Sequence, residues 1–259
     1  MATFLFDEII FGPVRSRRLG TSLGVNLLPL DKKYCNFDCL YCECGWSCNS
    51  GVRKSDLPTR AQVSIALEQK IIAMVEAENP PDVITFAGNG EPTMHPEFEG
   101  IIDDTVGIRN KLAEKARIAV LSNSLTIHKS RIVQALKKTD QPILKLDTAI
   151  EETYQFINRP AGSRKIQEII SDLAAFGEGL ILQTLFFKGS YKGTSTNNTS
   201  PEELNALFEA YKTISPDKIM IYTFERDTPV STLEKIPLPD LEAIGKSIQE
   251  LGFEVEISA

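Results

Sequence analysis

Cys35, Cys39, Cys42, Cys44 and Cys48 are the five cysteines of a 259-residue chain, and all fall in the run YCNFDCLYCECGWSC at residues 34 to 48. Thiols this close together suit a shared ligand better than long-range bridges, and an odd count leaves one over from any disulfide set. Cys35, Cys39 and Cys42 form C-x3-C-x2-C. Three thiolates from one loop can hold three irons of a [4Fe–4S] cube, leaving the fourth iron open to a small molecule. A structural zinc ion wants four ligands, usually as two separated pairs. Cys44 or Cys48 could complete such a set, so the spacing leaves zinc open. No second pair exists, and His95 and His128 are distant in sequence.

The elements that must position this loop alternate along the chain. Aliphatic or β-branched runs at residues 24 to 29, 82 to 88, 117 to 122, 142 to 147, 179 to 187 and 218 to 224 read as buried strands. Stretches with helical spacing lie at 60 to 78, 98 to 115, 128 to 138, 163 to 177, 201 to 214 and 239 to 251. Ser200 followed by Pro201 and Glu203 is a helix-start signal. Six strands with crossover helices imply an α/β fold with a parallel sheet. The strands end in polar residues, among them Asn89 and Glu91, Asn123, Asp147, Lys188, Glu225 and Arg226. So many separate polar ends favour a partial (β/α)6-type TIM barrel, where strand ends converge on one face, over an open sheet with a single crevice. One domain is expected over residues 1–259, with the cysteine loop at 34–48 and a C-terminal helix and tail at 239–259. Residues 43 to 59 and 188 to 199 read as loops, either lids or solvated connections.

Hydrophobic residues make up 42% of the chain, enough for a substantial core without disulfide staples. The opening MATFLFDEII is short and acidic for a signal peptide, and no stretch approaches a membrane span. A reducing, cytoplasmic setting with no membrane association is therefore expected. A net charge of −7 argues against a generic polyanion binder, although Arg15, Arg17, Arg18, Lys32 and Lys33 could form a local basic patch.

CNFDCLYC, with Tyr41 just before its third cysteine, resembles the signature loop of the radical S-adenosylmethionine (SAM) superfamily. The segment FAGNGEPTMHPEF, at residues 86 to 98, resembles that family's Gly-Gly-Glu motif, with Asn89, Gly90, Glu91 and Pro92 aligned. The resemblance implies a [4Fe–4S] cluster on Cys35, Cys39 and Cys42, with the amino and carboxylate groups of SAM on the unique iron. It implies reductive cleavage of SAM to methionine and a 5′-deoxyadenosyl radical that abstracts hydrogen from a substrate. An electron donor such as flavodoxin or ferredoxin is implied with it. A strand-end carboxylate or carbonyl can accept from the SAM ammonium, and glycine permits close backbone approach.

By the same resemblance Ser122, Asn123, Asp147 and Gln183 occupy positions of SAM contacts, and INRP, with Arg159, follows at a familiar distance. Tyr191, Glu225, Arg226 and Lys188 are candidates to face the substrate. The stretches FGPVRSRRLGTSLGVNLLP and IYTFERDTP are similar to Fe–S oxidoreductases grouped with the tRNA wyosine-base synthases, which implies a tRNA base as substrate. Those synthases bind a second cluster through cysteines upstream of the signature loop, whereas no cysteine precedes Cys35 here. Two alternatives stand beside this reading. One is an activase acting on a partner protein; the other is a non-catalytic Fe–S or zinc-binding protein, which would have no use for GNGEP with polar strand ends. Cys44 and Cys48 are expected to serve a local structural or redox role, and Trp46 to cover the cluster or anchor the loop.

Overall fold

Hydrophobic runs of four to six residues followed by amphipathic helices dictate a right-handed βα succession, because a parallel strand needs a crossover to return. The computed structural model of the chain describes residues 4–16, 20–47 and 51–258. In chain order the elements are β1 (Ile10–Ser16), β2 (Gly20–Val25), α1 (Arg60–Glu76), β3 (Val83–Phe86), α2 (Phe98–Leu112), β4 (Arg117–Ser122), α3 (Ser130–Leu136), β5 (Gln141–Lys145), α4 (Glu151–Ile157), α5 (Ile166–Phe176), β6 (Ile181–Leu185), β7 (Phe187–Tyr191), β8 (Thr194–Asn197), α6 (Pro201–Ile214), β9 (Lys218–Tyr222), β10 (Leu233–Lys235), α7 (Leu238–Glu250) and β11 (Val255–Ser258).

The main sheet runs β1-β2-β3-β4-β5-β6-β9-β11, parallel from β2 onward, with β1 antiparallel at its edge. It curls into a half-barrel, so the expected partial TIM barrel is what forms. Helix starts follow local chemistry. Thr59 Oγ1 accepts from Gln62 N–H while Gln62 returns a bond to Thr59 N–H, and Ser200 Oγ accepts from Glu203 N–H ahead of Pro201. No helix among the described residues is long and apolar enough to cross a membrane.

Alternate strand residues point to opposite faces. Ile84, Phe86, Ile118, Val120, Leu144, Leu182 and Ile221 pack outward against the helices in the main core. Val83, Ala119, Ile143 and Met220 form a separate cluster on the concave face, with Leu121 and Ile181 against it. Each fully buried aliphatic side chain contributes about 1.5–3 kcal/mol, so both faces stabilise the sheet. The concave cluster closes the bottom of the half-barrel and leaves its C-terminal rim for polar side chains.

Several expectations need correction. The first parallel strand is Gly20–Val25 rather than 24 to 29, and it pairs with β1, which the sequence reading omitted. The expected strand at 179 to 187 divides into β6 and β7. Residues 188 to 199 are no loop. They form the β7–β8 hairpin, which β10 extends to a three-stranded antiparallel sheet. The short helix α4 and the strand β11 were also absent from that reading.

Candidate active site

The cysteine loop is held at the rim by two backbone bridges. Tyr34 pairs in parallel with Gly90: Tyr34 N–H donates to Asn89 O at 2.8 Å, and Glu91 N–H donates to Tyr34 O at 3.2 Å. At its other side Phe37 pairs with Pro160, and Leu40 N–H donates to Ile157 O at 2.9 Å. A Cβ on Gly90 would lie 1.9 Å from Tyr34 O, and its φ is +140°, so close approach and backbone conformation both demand glycine. Gly88, with φ +153°, makes room in the same way for the Asn26 side chain.

Cys35, Cys39, Cys42 and Cys44 line one cavity of about 240 Å³, together with Lys33, Gly88, Gly90, Glu91, Ser122, Asn123, Lys145, Gln183 and Tyr222. Burial pushes the Cys35 thiol up, and the Cys39 thiol up to about 11. A hydrogen bond from the Cys44 thiol pulls Cys42 down, with help from Lys33. Lys33 is 3% exposed, and its ammonium donates to Gly45 O at 3.0 Å and approaches Asp38 at 3.4 Å. Burial alone would lower its pKa, but the charges of Cys42, Cys35 and Cys39 outweigh it and raise the value. The thiols and this cation therefore stabilise each other's charged forms.

Glu91 is buried. Its Oε1 accepts from Thr93 N–H at 3.1 Å and Ser122 Oγ–H at 2.9 Å, and its Oε2 accepts from Asn123 N–H at 2.7 Å. Burial raises its pKa against the pull of these donors. Oε2 takes only the one bond named, which leaves a lone pair for a further donor. Asn123 Nδ2 donates to Asn36 Oδ1 at 2.6 Å and lies 3.6 Å from Cys35 Sγ, steadying the first thiol. Gln183 is 6% exposed, lines the cavity, and its Nε2 has no partner. An unsatisfied buried amide costs about 1–3 kcal/mol, so a ligand accepting from it would recover that cost.

Other residues picked from the sequence serve differently. Asn89 is fully buried, and its side chain is engaged by Phe6 N–H at 2.9 Å, Phe6 O at 2.8 Å and Pro29 O at 2.8 Å. It ties the N-terminal segment to the loop and does not line the cavity. Pro92 is buried at the start of a short 3-10 turn. Asp147 lies beneath the cysteine loop as a hub: the Tyr41 hydroxyl and Asn158 Nδ2 donate to Oδ2, while Leu185 N–H at 3.0 Å and Lys145 Nζ at 3.3 Å reach Oδ1. Burial, then the Asp147 charge, pushes the Tyr41 phenol well up, so it remains a donor.

Arg159 stacks its guanidinium 4.9 Å from the exposed Trp46 ring and 5.8 Å from Tyr191, outside the cavity. Trp46 thus anchors the loop's end. Lys188 makes an exposed pair with Glu234 at 3.8 Å. Glu225 and Arg226 donate backbone N–H groups to Glu43 at 3.0 Å, fastening the β9–β10 connection to the cysteine loop. Lys33 is buried and Lys32 pairs with Asp56 at 3.1 Å, so neither belongs to an exposed basic patch; Arg15 is exposed, and Arg17 and Arg18 lie outside the described residues, as does Cys48.

Sequence reasoning missed Lys33, Lys145, Asn158 and Tyr222. Lys145 carried a signal: a lysine alternating with aliphatic residues in PILKLD must face the concave side. Its ammonium bonds Tyr222 OH at 2.8 Å and lies 4.9 Å from the Tyr41 ring centroid. Among the described residues no three His, Cys, Asp or Glu side chains converge on a single-ion site. Three thiols lining one cavity beside a buried cation are a donor set that fits an anionic iron–sulfur cube.

The family model described as the Radical SAM superfamily matches residues 32–190, which include every cavity residue named above except Tyr222. A UPF0026 protein of Helicobacter pylori (strain J99) is 30% identical over 226 residues, covering 84% of this chain and 67% of that protein. Streptococcus suis SuiB bound to S-adenosylmethionine superposes with a TM-score of 0.63 at 16% identity, covering 91% of this chain. The chain spans about 50% of SuiB's length. Archaeal TYW1 superposes with a TM-score of 0.53 at 14% identity, over 88% of this chain and 71% of that one. At such identities these two structures share the fold.

Proposed function

The chain belongs to the radical SAM superfamily, and on that premise we propose that the cavity at the rim of its half-barrel is the site where SAM is cleaved. It is a radical SAM enzyme whose cofactors are a [4Fe–4S] cluster and SAM. When bound, these supply one-electron cleavage of the sulfonium to methionine and a 5′-deoxyadenosyl radical that abstracts hydrogen.

The observation that carries the site is the convergence of Cys35, Cys39 and Cys42 with Glu91 on one cavity. In this reading the three thiolates hold three irons, and Lys33 offsets their charge. Glu91 accepts from the SAM ammonium through Oε2, while Ser122 and Asn123 keep that carboxylate oriented. Gln183 supplies its unpartnered amide, and Tyr41, Asp147 and Asn158 brace the loop from below. Phe37 lines the cavity, and the backbone bridges on either side hold the loop over it.

The test is anaerobic reconstitution with iron and sulfide, reduction by dithionite or a flavodoxin or ferredoxin, and detection of 5′-deoxyadenosine by mass spectrometry. Product is expected from wild type and lost in Cys39→Ala. Full iron retention by Cys35→Ala, Cys39→Ala and Cys42→Ala alike would reject the ligand assignment.

For the substrate, the exposed Trp46 ring and the Arg159 guanidinium stacked on it favour a flat, electron-rich group such as a tRNA base over a partner protein. Transfer RNA that raises 5′-deoxyadenosine yield with wild type but not with Trp46→Ala supports this, and no stimulation by tRNA removes it.

A further inference from the structure

Cys44 is a fourth thiol in the cavity, and the proposed site does not use it. The chain turns back at Cys42–Gly45, where Gly45 N–H donates to Cys42 O at 2.9 Å, and this turn brings the Cys44 side chain into the cavity. Its neighbours are pinned on both sides: Glu43 by the backbone of Glu225 and Arg226, and Gly45 by Lys33. Cys44 Sγ donates to Gly88 O at 3.4 Å, in the GNGEP loop. The position is therefore held against the ligand space. Gln183 lines the same cavity, is buried, and has an Nε2 without a partner, which independently marks that space as one built for a ligand.

Three thiolates on a four-iron cube leave one iron without a protein donor. Before SAM arrives, that iron takes the best available donor, and a soft thiolate outranks water, amide or hydroxyl. Glu91 is already held by four donors, two from Thr93 and one each from Ser122 and Asn123. Cys44 stands two residues beyond Cys42, on the Gly88 carbonyl, where an incoming ammonium would find an acceptor.

We propose that Cys44 ligates the fourth iron in the SAM-free enzyme and yields that position when SAM binds, which rests on the cluster assignment above. An iron–sulfur bond forms and later breaks, the thiol proton passes to solvent and returns, and no electron moves. Cys44 is thus a latch over the reactive iron, released by the cofactor itself. SAM must displace an internal ligand, so its apparent affinity is reduced by the fraction of time the latch is closed, about tenfold for a latch closed about nine-tenths of the time.

The test uses the reconstituted full chain as wild type, Cys44→Ala, Cys44→Ser and Cys48→Ala. Iron is measured first and is expected to be equal in all four. The dithionite-reduced, SAM-free electron paramagnetic resonance spectrum of both Cys44 variants should differ from wild type, and the spectra should converge once SAM is saturating. Calorimetric affinity for SAM should be about tenfold tighter in Cys44→Ala. Identical SAM-free spectra, equal affinity, or the spectral change arising in Cys48→Ala instead would overturn the latch. Iron lost from Cys44→Ala but kept by Cys42→Ala would make Cys44 a permanent anchor, which also overturns it. The underlying cluster assignment fails separately, only if Cys35→Ala, Cys39→Ala and Cys42→Ala all keep their iron.

Discussion

Gly90→Ala probes the joint on which the whole site depends. The added methyl would lie 1.9 Å from Tyr34 O, a backbone atom that cannot rotate away, and the residue's φ of +140° is one that L side chains rarely adopt. Relief requires the GNGEP and cysteine loops to separate, breaking the Tyr34 N–Asn89 O and Glu91 N–Tyr34 O bonds. Backbone strain of about 1–3 kcal/mol and two lost bonds at about 1 kcal/mol each sum to about 3–5 kcal/mol. That is a large share of the roughly 5–15 kcal/mol typical of a domain. Urea unfolding of the iron-free chain should register the loss, and iron retained after reconstitution should fall with it. Gly107→Ala is the control: it lies exposed in α2 with open space around it, so alanine should be neutral or stabilise by up to about 1 kcal/mol. Gly90→Ala unfolding within about 1 kcal/mol of wild type, with full iron, would refute the claim that the bridge positions the thiols.

Glu91→Ala should leave the iron content intact and weaken SAM binding at least tenfold, about 1.4 kcal/mol, by calorimetry; unchanged affinity removes Glu91 from the site. Tyr41→Phe deletes the hydroxyl that bonds Asp147 and accepts from Asn158 at 2.7 Å, and should cost about 1–2 kcal/mol in urea unfolding, whereas no loss would make that hub dispensable. Lys33→Met removes the buried cation beside the thiols and should lower the cluster's midpoint potential by about 60–120 mV, which corresponds to about 1.4–2.8 kcal/mol of lost attraction. A rise, or no shift, in spectroelectrochemical titration would contradict the charge-offset role. His95 accepts from Glu97 N–H on Nδ1 and faces Pro58 O at 2.9 Å with Nε2, so it is held neutral, and burial lowers its pKa. The unfolded chain therefore binds more protons below its ordinary value near 6.5, and stability falls as pH drops through that value. His95→Gln should flatten this acid limb, and an unaltered slope would exclude His95 as its source.

Residue types and their spacing made the cysteine loop, the glycine turn and the class of scaffold legible. CNFDCLYC gathers three thiols within one loop, and GNGEP is a turn whose glycines announce close approach, so both are legible from adjacent residues. The βα alternation is legible for the same reason, because period-2 and period-3.6 patterning is local. What each polar residue does depends on contacts between distant segments. Asn89 and Asp147 look alike as strand-end polar groups, yet Asn89 closes on Phe6 and Pro29, and Asp147 on Tyr41, Asn158 and Leu185. Their partners stand up to 106 residues away, beyond any local signal. The segment KGSYKGTSTN reads as loop because its strands draw their stability from pairing with one another and with β10, not from burial of an apolar run. Lys33 sits in a string of charges that reads as surface, and becomes the counter-charge of the site only because the Cys42–Gly45 turn folds a carbonyl and the thiols over it. Charge and hydrogen bonding act through space, and the distances that give them meaning exist only once the strands have brought distant segments to one rim.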